Sequence, residues 1–283
     1  MVPAAPAARD RAAVAARSDV IDRSEFLPSP DLDTDEMRRL QRALADAAAF
    51  EDDHDLAADR IALQEPLSID DAPGRHQCSP VESARTVVGV DVAFRDDRAA
   101  AAAVAIADGR VLAVGEAVVD LAVPYVPGLL AFREGTAVLA ALSELAAAPD
   151  LLVVDGSGRV HYRAAGLATH LGVVVDRPAV GVAKSLLCGR PRRPVESGLP
   201  EGERVPIEAN DRFEHGAETG EVVGYAVSTR QYDSPDRHVN PLYVSPGHRV
   251  SAATAADLVL ALAAGYKLPE PTRLADRYLK IRR

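Results

Sequence analysis

Cysteine is nearly absent from this chain of 283 residues. Cys78 and Cys188 are the only two, too few for a disulfide framework and in no metal-binding cluster, so both read as inert reduced thiols. Lysine is almost as scarce: Lys184, Lys267 and Lys280 stand against 29 arginines. No apolar run reaches the roughly 18 residues that a bilayer span requires, and the N-terminal stretch lacks the apolar core of a signal peptide. A cytoplasmic protein without membrane contact is therefore expected. Positive charge is in short supply as well. With 32 Lys and Arg against 42 Asp and Glu the net charge is −10, a sign that duplex DNA repels. The deficit is uneven: residues 1–80 hold 17 acidic residues and 9 arginines, whereas 81–283 hold 25 acidic and 23 basic ones.

What is present suffices for a sizeable core, since 48% of the residues are apolar. Residues 1–24, rich in Ala, Arg and Asp without apolar periodicity, read as a flexible extension, and 25–283 as the folded domain. Met37, Leu40, Leu44 and Ala47 recur at helical spacing behind Asp33 or Thr34, either of which can cap the first turn. Residues 51–83, with Glu51-Asp52-Asp53-His54-Asp55 and Pro73-Gly74, read as an exposed acidic connection with one helical turn. Strands are expected at 84–94, 99–107 and 110–120, hinged at Asp96-Asp97 and Asp108-Gly109, the second a good hairpin signal. A helix at 132–147, a strand at 150–154, a helix at 162–171 and a strand at 178–183 follow. Beyond an excursion at 190–220 come strands at 221–229 and 242–245 and a helix at 251–264. Three strands and then alternating helix and strand predict the α/β class, a ribonuclease H-like mixed sheet flanked by helices.

Three acidic residues interrupt this apolar pattern. Asp91 follows Thr86-Val87-Val88-Gly89-Val90, Asp155 follows Leu151-Leu152-Val153-Val154, and Glu134 closes the segment that starts at Pro124. Either aspartate alone reads as a turn or cap residue. Together, at the ends of strands buried on both faces, carboxylates need compensation, and a magnesium ion held by a few carboxylates and water supplies it. Lys184 also follows an apolar strand and fits either a phosphate contact or an ion pair. His248 ends the turn Ser245-Pro246-Gly247-His248, suited to a phosphate, a leaving group or a second metal. Tyr125 is stiffened by Pro124 and Pro127 and can stack in a gap between bases. Gly128, Gly156 and Gly158 let backbone amides approach a base, with Leu130 and Leu167 closing the pocket and His161 lining it.

These motifs resemble the endonuclease V family. The residues that carry the resemblance are Gly89-Val90-Asp91-Val92, the run from Pro124 to Glu134, Asp155-Gly156-Ser157-Gly158, the run from Gly166 to Gly172, Gly181-Val182-Ala183-Lys184-Ser185, Val244-Ser245-Pro246-Gly247-His248 and the run from Leu268 to Asp276. The likeness implies hydrolysis of a phosphodiester bond on the 3′ side of deoxyinosine in DNA, for repair, with Mg2+ as cofactor and Mn2+ as a substitute. It implies Asp91, Glu134 and Asp155 as metal ligands, and Lys184 and His248 as active-site partners. Pro124, Tyr125, Val126 and Pro127 become the strand-separating wedge. The family usually reads His-Pro-Arg where this chain has His161-Tyr162-Arg163, and a longer polar side chain where it has Ser157. A monomer acting on inosine-containing DNA is expected. Inosine in RNA is the alternative substrate, and a non-catalytic inosine binder the alternative of another class. An ATPase of the actin and sugar-kinase type would need a second Asp-x-Gly hairpin, which Asp91-Val92-Ala93 lacks.

Overall fold

A computed structural model of the chain describes residues 20–71, 84–145, 148–195, 198–234 and 237–282. Cys78, Pro73-Gly74 and most of the expected extension lie outside these residues. Among the described residues, nine strands form one sheet in the order β3-β2-β1-β4-β5-β9-β8-β7-β6. β1 (Val87–Arg95), β2 (Arg98–Ala107) and β3 (Arg110–Asp120) make the expected antiparallel meander. The turn between β2 and β3 has positive φ at both Asp108 and Gly109, the combination that a two-residue hairpin turn requires. β4 (Leu151–Asp155) runs parallel to β1, and β5 (Ala179–Ala183) runs parallel to β4. β9 (Leu242–His248) returns antiparallel along β5, followed outwards by β8 (Val222–Val227), β7 (Arg204–Glu208) and the short β6 (Arg190–Pro191). The strands β6 and β7 lie in the region expected to leave the fold. This arrangement is compatible with the ribonuclease H-like fold expected from the sequence.

Among the described residues, six α-helices flank the sheet: α1 (Thr34–Ala47), the single turn α2 (Ala58–Ile61), α3 (Leu130–Ser143), α4 (Leu167–Val175), α5 (Ala252–Ala261) and α6 (Glu270–Ile281). α1 starts where the sequence places it. The Asp33 carboxylate accepts from the amides of Asp35 and Glu36, while the Glu36 carboxylate accepts from the Asp33 amide, closing a capping box. Two cores follow from the strand period of two. Val88, Val90, Leu152 and Val154 face α3 and α4, whereas Val87, Leu151, Val153, Val180 and Val182 face α5 and α6. Small residues set the spacing: β2 is almost all alanine, and a Cβ at Gly89 would lie 2.1 Å from the Pro271 carbonyl carbon, so α6 sits directly on β1.

Two boundaries differ from expectation. Residues 20–24 are part of the fold, because the amides of Asp22 and Arg23 both donate to the Val174 carbonyl and Val20 and Ile21 pack against the core. Nor are the described residues of the acidic connection merely solvated. Asp52 accepts from the Ser251 amide and the Thr254 hydroxyl at the start of α5, Asp53 pairs with Arg249, and Asp55 pairs with Arg85. Burial raises the Asp52 pKa, but these hydrogen bonds and the nearby His54 outweigh it and hold the carboxyl below its usual range. Among the described residues, no helix is long and apolar enough to cross a membrane.

Candidate active site

The register of the parallel strands brings the two aspartates together. Val90 is paired with Val154, so Asp91 and Asp155 follow at the same level, and the period of two turns both toward the α6 face. Lys184, one residue past β5, shares that face because it continues the series Val180 and Val182. Its ammonium lies 2.6 Å from Asp155 Oδ2. Glu134 arrives from α3, one turn into the helix, and is buried. Burial is the main reason that Asp91 holds its proton well above the usual carboxylate range, and the Asp155 charge adds to it. Burial likewise pushes Glu134 up to about 8, with Asp91 and Asp155 raising it further against Arg133. Burial alone would lower the Lys184 pKa, but its bond to Asp155 and the charges of Asp155, Asp91 and Asp276 reverse the sign.

Asp276 is the residue that the sequence reading missed. It lies on α6, and its charge acts on both Asp91 and Lys184. A signal was present in the sequence: Pro271 sits in the first turn of a helix whose Leu274, Ala275, Tyr278 and Leu279 recur at helical spacing. Its carboxylate also pairs with Lys280 at 2.6 Å.

Among the described residues, no three acidic or histidine side chains close around a single point as a complete metal cage. The donor set nevertheless suits a hard divalent cation. Oxygen ligands crowd at the strand ends, their mutual repulsion is relieved by added positive charge, and magnesium requires only one or two carboxylates beside water and phosphate.

Beside the carboxylates opens a cavity of about 360 Å³, within the range of small-ligand sites. Gly128, Leu130, Gly156, His161 and Leu167 line it, together with Asp155, Lys184 and Tyr125. Tyr125 is 68% exposed at this rim. Val123, Val126, Leu129 and Phe132 anchor its loop against Met37 of α1. Gly128 adopts φ of +79°, where a side chain would be strained. Its carbonyl accepts from Gln41 Nε2 at 2.8 Å, from His161 Nε2 at 3.0 Å and from Arg163 Nη2 at 3.3 Å. The His161 tautomer follows, since Nδ1 accepts the Arg163 amide and Nε2 therefore carries the proton. Burial, aided by the Arg163 charge, lowers the His161 pKa to about 3, so the ring is a neutral donor. Arg163 in turn binds Gln41 Oε1 and Glu214 Oε2 at 2.8 and 2.7 Å. The expected helix at 162–171 starts only at Leu167 because residues 161–166 form this hydrogen-bonded turn.

Two expectations are corrected. Gly158 does not line the cavity: its amide donates to Ser245 Oγ, and the Gly156 amide donates to the Val182 carbonyl, so both are engaged within the fold. His248 lies away from the carboxylates. Because β9 runs antiparallel to β5, His248 is paired with Ala179 at the start of β5, the opposite end from Lys184. It is buried, with Nδ1 accepting the Ala49 amide and Nε2 at 3.1 Å from Asp176 Oδ1. His170 is also structural, its Nε2 held 2.7 Å from the Phe26 carbonyl.

Carboxylates gathered at the ends of the central parallel strands of a mixed sheet, next to an open cavity and a lysine, define a site suited to metal-assisted hydrolysis of phosphate esters. The family model for endonuclease V matches residues 74–277. An endonuclease V from Halobacterium salinarum is 61% identical over 260 residues, covering 90% of this chain and 97% of that protein. The crystal structure of endonuclease V from Streptomyces avermitilis is 35% identical with a TM-score of 0.65, covering 88% of this chain and 94% of that one. A Ciona intestinalis endonuclease V, solved with a 24mer DNA containing an inosine followed by a ribo-adenosine, shares the fold at 24% identity and a TM-score of 0.61, over 88% of this chain and 96% of that one. The chain belongs to the endonuclease V family and is a nuclease, a hydrolase of phosphodiester bonds.

Proposed function

We propose that this nuclease recognises deoxyinosine in DNA and cuts the strand on the 3′ side of the lesion, as a cytoplasmic monomer in DNA repair. The observation that carries the reading is the placement of Asp91 and Asp155 on one face of adjacent strands, with Lys184 and the cavity beside them. Asp91, Asp155 and Glu134 would hold Mg2+, with Mn2+ as a substitute, and Asp276 adds a fourth carboxylate to the same edge. An ion held by these carboxylates would favour formation of the attacking hydroxide near neutral pH and would offset charge on the leaving oxygen.

The side chains do the remaining work. Lys184, already cationic and half exposed, neutralises phosphate charge at the strand ends. Tyr125 enters the duplex and stacks in the space left by the displaced nucleotide. The displaced base lies in the cavity between Leu130, Leu167 and the wall at Gly128, Gly156 and His161. The Gln41, His161 and Arg163 bonds to the Gly128 carbonyl fix that wall. A nicking assay on inosine-containing and undamaged DNA, and on inosine-containing RNA, with and without Mg2+, tests the reading. Metal-dependent cuts on the 3′ side of inosine in DNA are expected. Preferential cutting of the RNA would transfer the function to inosine-directed ribonuclease activity, and binding without cutting would leave an inosine-binding protein.

A further inference from the structure

We propose that Lys267, on the loop between α5 and α6, binds a backbone phosphate of the strand being cut, beside Lys184. The inference rests on the nuclease reading above. Of the three lysines, Lys184 and Lys280 each have a carboxylate at 2.6 Å, from Asp155 and Asp276. Lys267 has no carboxylate within ion-pair distance among the described residues, although the chain is rich in acid. Topology brings it to the catalytic edge. Val227 at the end of β8 pairs with Leu242, and the next residue of β9, Tyr243, pairs with Ala183, which precedes Lys184. Just past β8, the Thr229 hydroxyl donates to the Lys267 carbonyl and Arg230 donates to the Gly265 carbonyl. At the other end of the loop the Glu270 amide donates to the Leu262 carbonyl, and the Arg273 guanidinium lies 4.4 Å from the Tyr266 ring centre.

The backbone is thus fastened on both sides, so the Lys267 ammonium is offered from a fixed platform. It is half-buried, and its pKa lies below the ordinary lysine value, first through burial and then through the charge of Lys184. Two cations held near one another, one of them without a carboxylate partner among the described residues, favour a ligand that carries repeated negative charge. A phosphodiester strand does. A lysine serves as a point charge, which suits a phosphate oxygen in any orientation and carries no base preference.

The experiment compares wild type, Lys267→Ala, Lys267→Arg and Arg110→Ala. Arg110 sits at the far end of the β2–β3 ladder, paired with Ala107, and controls for loss of one positive charge elsewhere. Affinity for one inosine duplex is measured with Ca2+ in place of Mg2+, from about 0.05 to 0.2 M salt, and nicking is measured with Mg2+ at saturating protein. For Lys267→Ala the slope of log affinity against log salt should become shallower by about 0.9. Lys267→Arg should restore the slope, and Arg110→Ala should run parallel to wild type. A Lys267→Ala line parallel to wild type overturns the assignment, whether or not affinity falls, because a purely structural loss does not change the number of phosphates neutralised. Failure of wild type to nick inosine DNA overturns the deoxyinosine reading itself. An active wild type with an unchanged Lys267→Ala slope removes only the role of Lys267.

Discussion

Arg212 donates Nη2 to the Tyr162 hydroxyl at 2.9 Å and lays its guanidinium 5.3 Å from the centre of the same ring. The Tyr162 ring edge lies 3.0 Å from where a Cβ of Gly128 would be. The turn beneath the cavity is therefore braced from outside: the Glu214 amide donates to the Tyr162 carbonyl, and its carboxylate pairs with Arg163. Arg212→Ala should destabilise the protein by about 1 kcal/mol, one exposed cation–π contact plus a hydrogen bond. It should also raise KM for inosine substrates several-fold while leaving kcat near wild type. Introducing Tyr162→Pro in the same chain should make KM insensitive to Arg212. Equal sensitivity in both backgrounds would show that the brace does not act through Tyr162.

Asp91→Ala or Asp155→Ala should abolish nicking, by about a hundredfold or more, while inosine duplexes remain bound, because Gly128, Leu130, Gly156, His161 and Leu167 of the cavity wall are left in place. Glu134→Ala should be milder or raise the magnesium requirement. Gel-based cleavage and fluorescence anisotropy read the two properties separately, and nicking within tenfold of wild type for either aspartate variant would remove the metal-site assignment.

Tyr125→Ala should weaken discrimination between inosine-containing and undamaged duplex by about 1–3 kcal/mol if the exposed ring stacks on a base. Cleavage of single-stranded inosine substrates should be spared, since no strands need separating. Comparable losses on single and double strands would assign Tyr125 a role in folding the loop.

The pH dependence of stability follows from burial. Glu134, raised to about 8, and Asp91, also raised, bind protons more tightly folded than unfolded. Their contribution is complete below the unfolded values of 4.5 and 3.8 and is lost as pH rises through the folded ones. His161 and His170, lowered to about 3 and about 4, have the opposite sign: their contribution is present above 6.5 and lost as pH falls. The two effects oppose one another in mild acid. From about pH 6.5 to 8.5 the carboxylates act without that opposition, so the urea midpoint of the metal-free protein should fall over this range, and Mg2+ should restore it. Glu134→Gln should flatten the metal-free profile. A wild-type profile already flat there would mean that neither carboxylate is protonated at neutral pH.

His248→Ala should act on stability and not on chemistry. It removes the bonds to Ala49 and Asp176 and leaves the part-buried Ala49 amide without its acceptor, a loss of about 1–3 kcal/mol. Denaturant unfolding should show the loss, while kcat of the folded fraction stays near wild type. A hundredfold fall in kcat with unchanged stability would return His248 to the active site.

How much of this was legible in the sequence varies from residue to residue. The meander, the hairpin at Asp108-Gly109 and the α1 cap are local, and their turn chemistry and periodicity were readable directly. The aspartates were readable too, because an acid ending a doubly buried strand is conspicuous. His248 was not. Its motif ends a strand in sequence, but only the antiparallel return of β9 decides at which end of β5 it lies. Asp276 and Lys267 belong to segments whose importance depends on α6 packing over Gly89 and on Thr229 and Arg230 fastening a distant loop. Gln41, from α1, reaches the Gly128 carbonyl across 87 residues of chain, a contact that no short-range pattern encodes. By itself the sequence determined the meander, most of the central strands, the family and the position of two carboxylates at strand ends, because propensity, capping and apolar period act over a few residues. Which polar side chains share a site, and which amides are already engaged, was decided only by tertiary structure, because strand register and helix packing bring distant residues within the few ångströms over which charges and hydrogen bonds act.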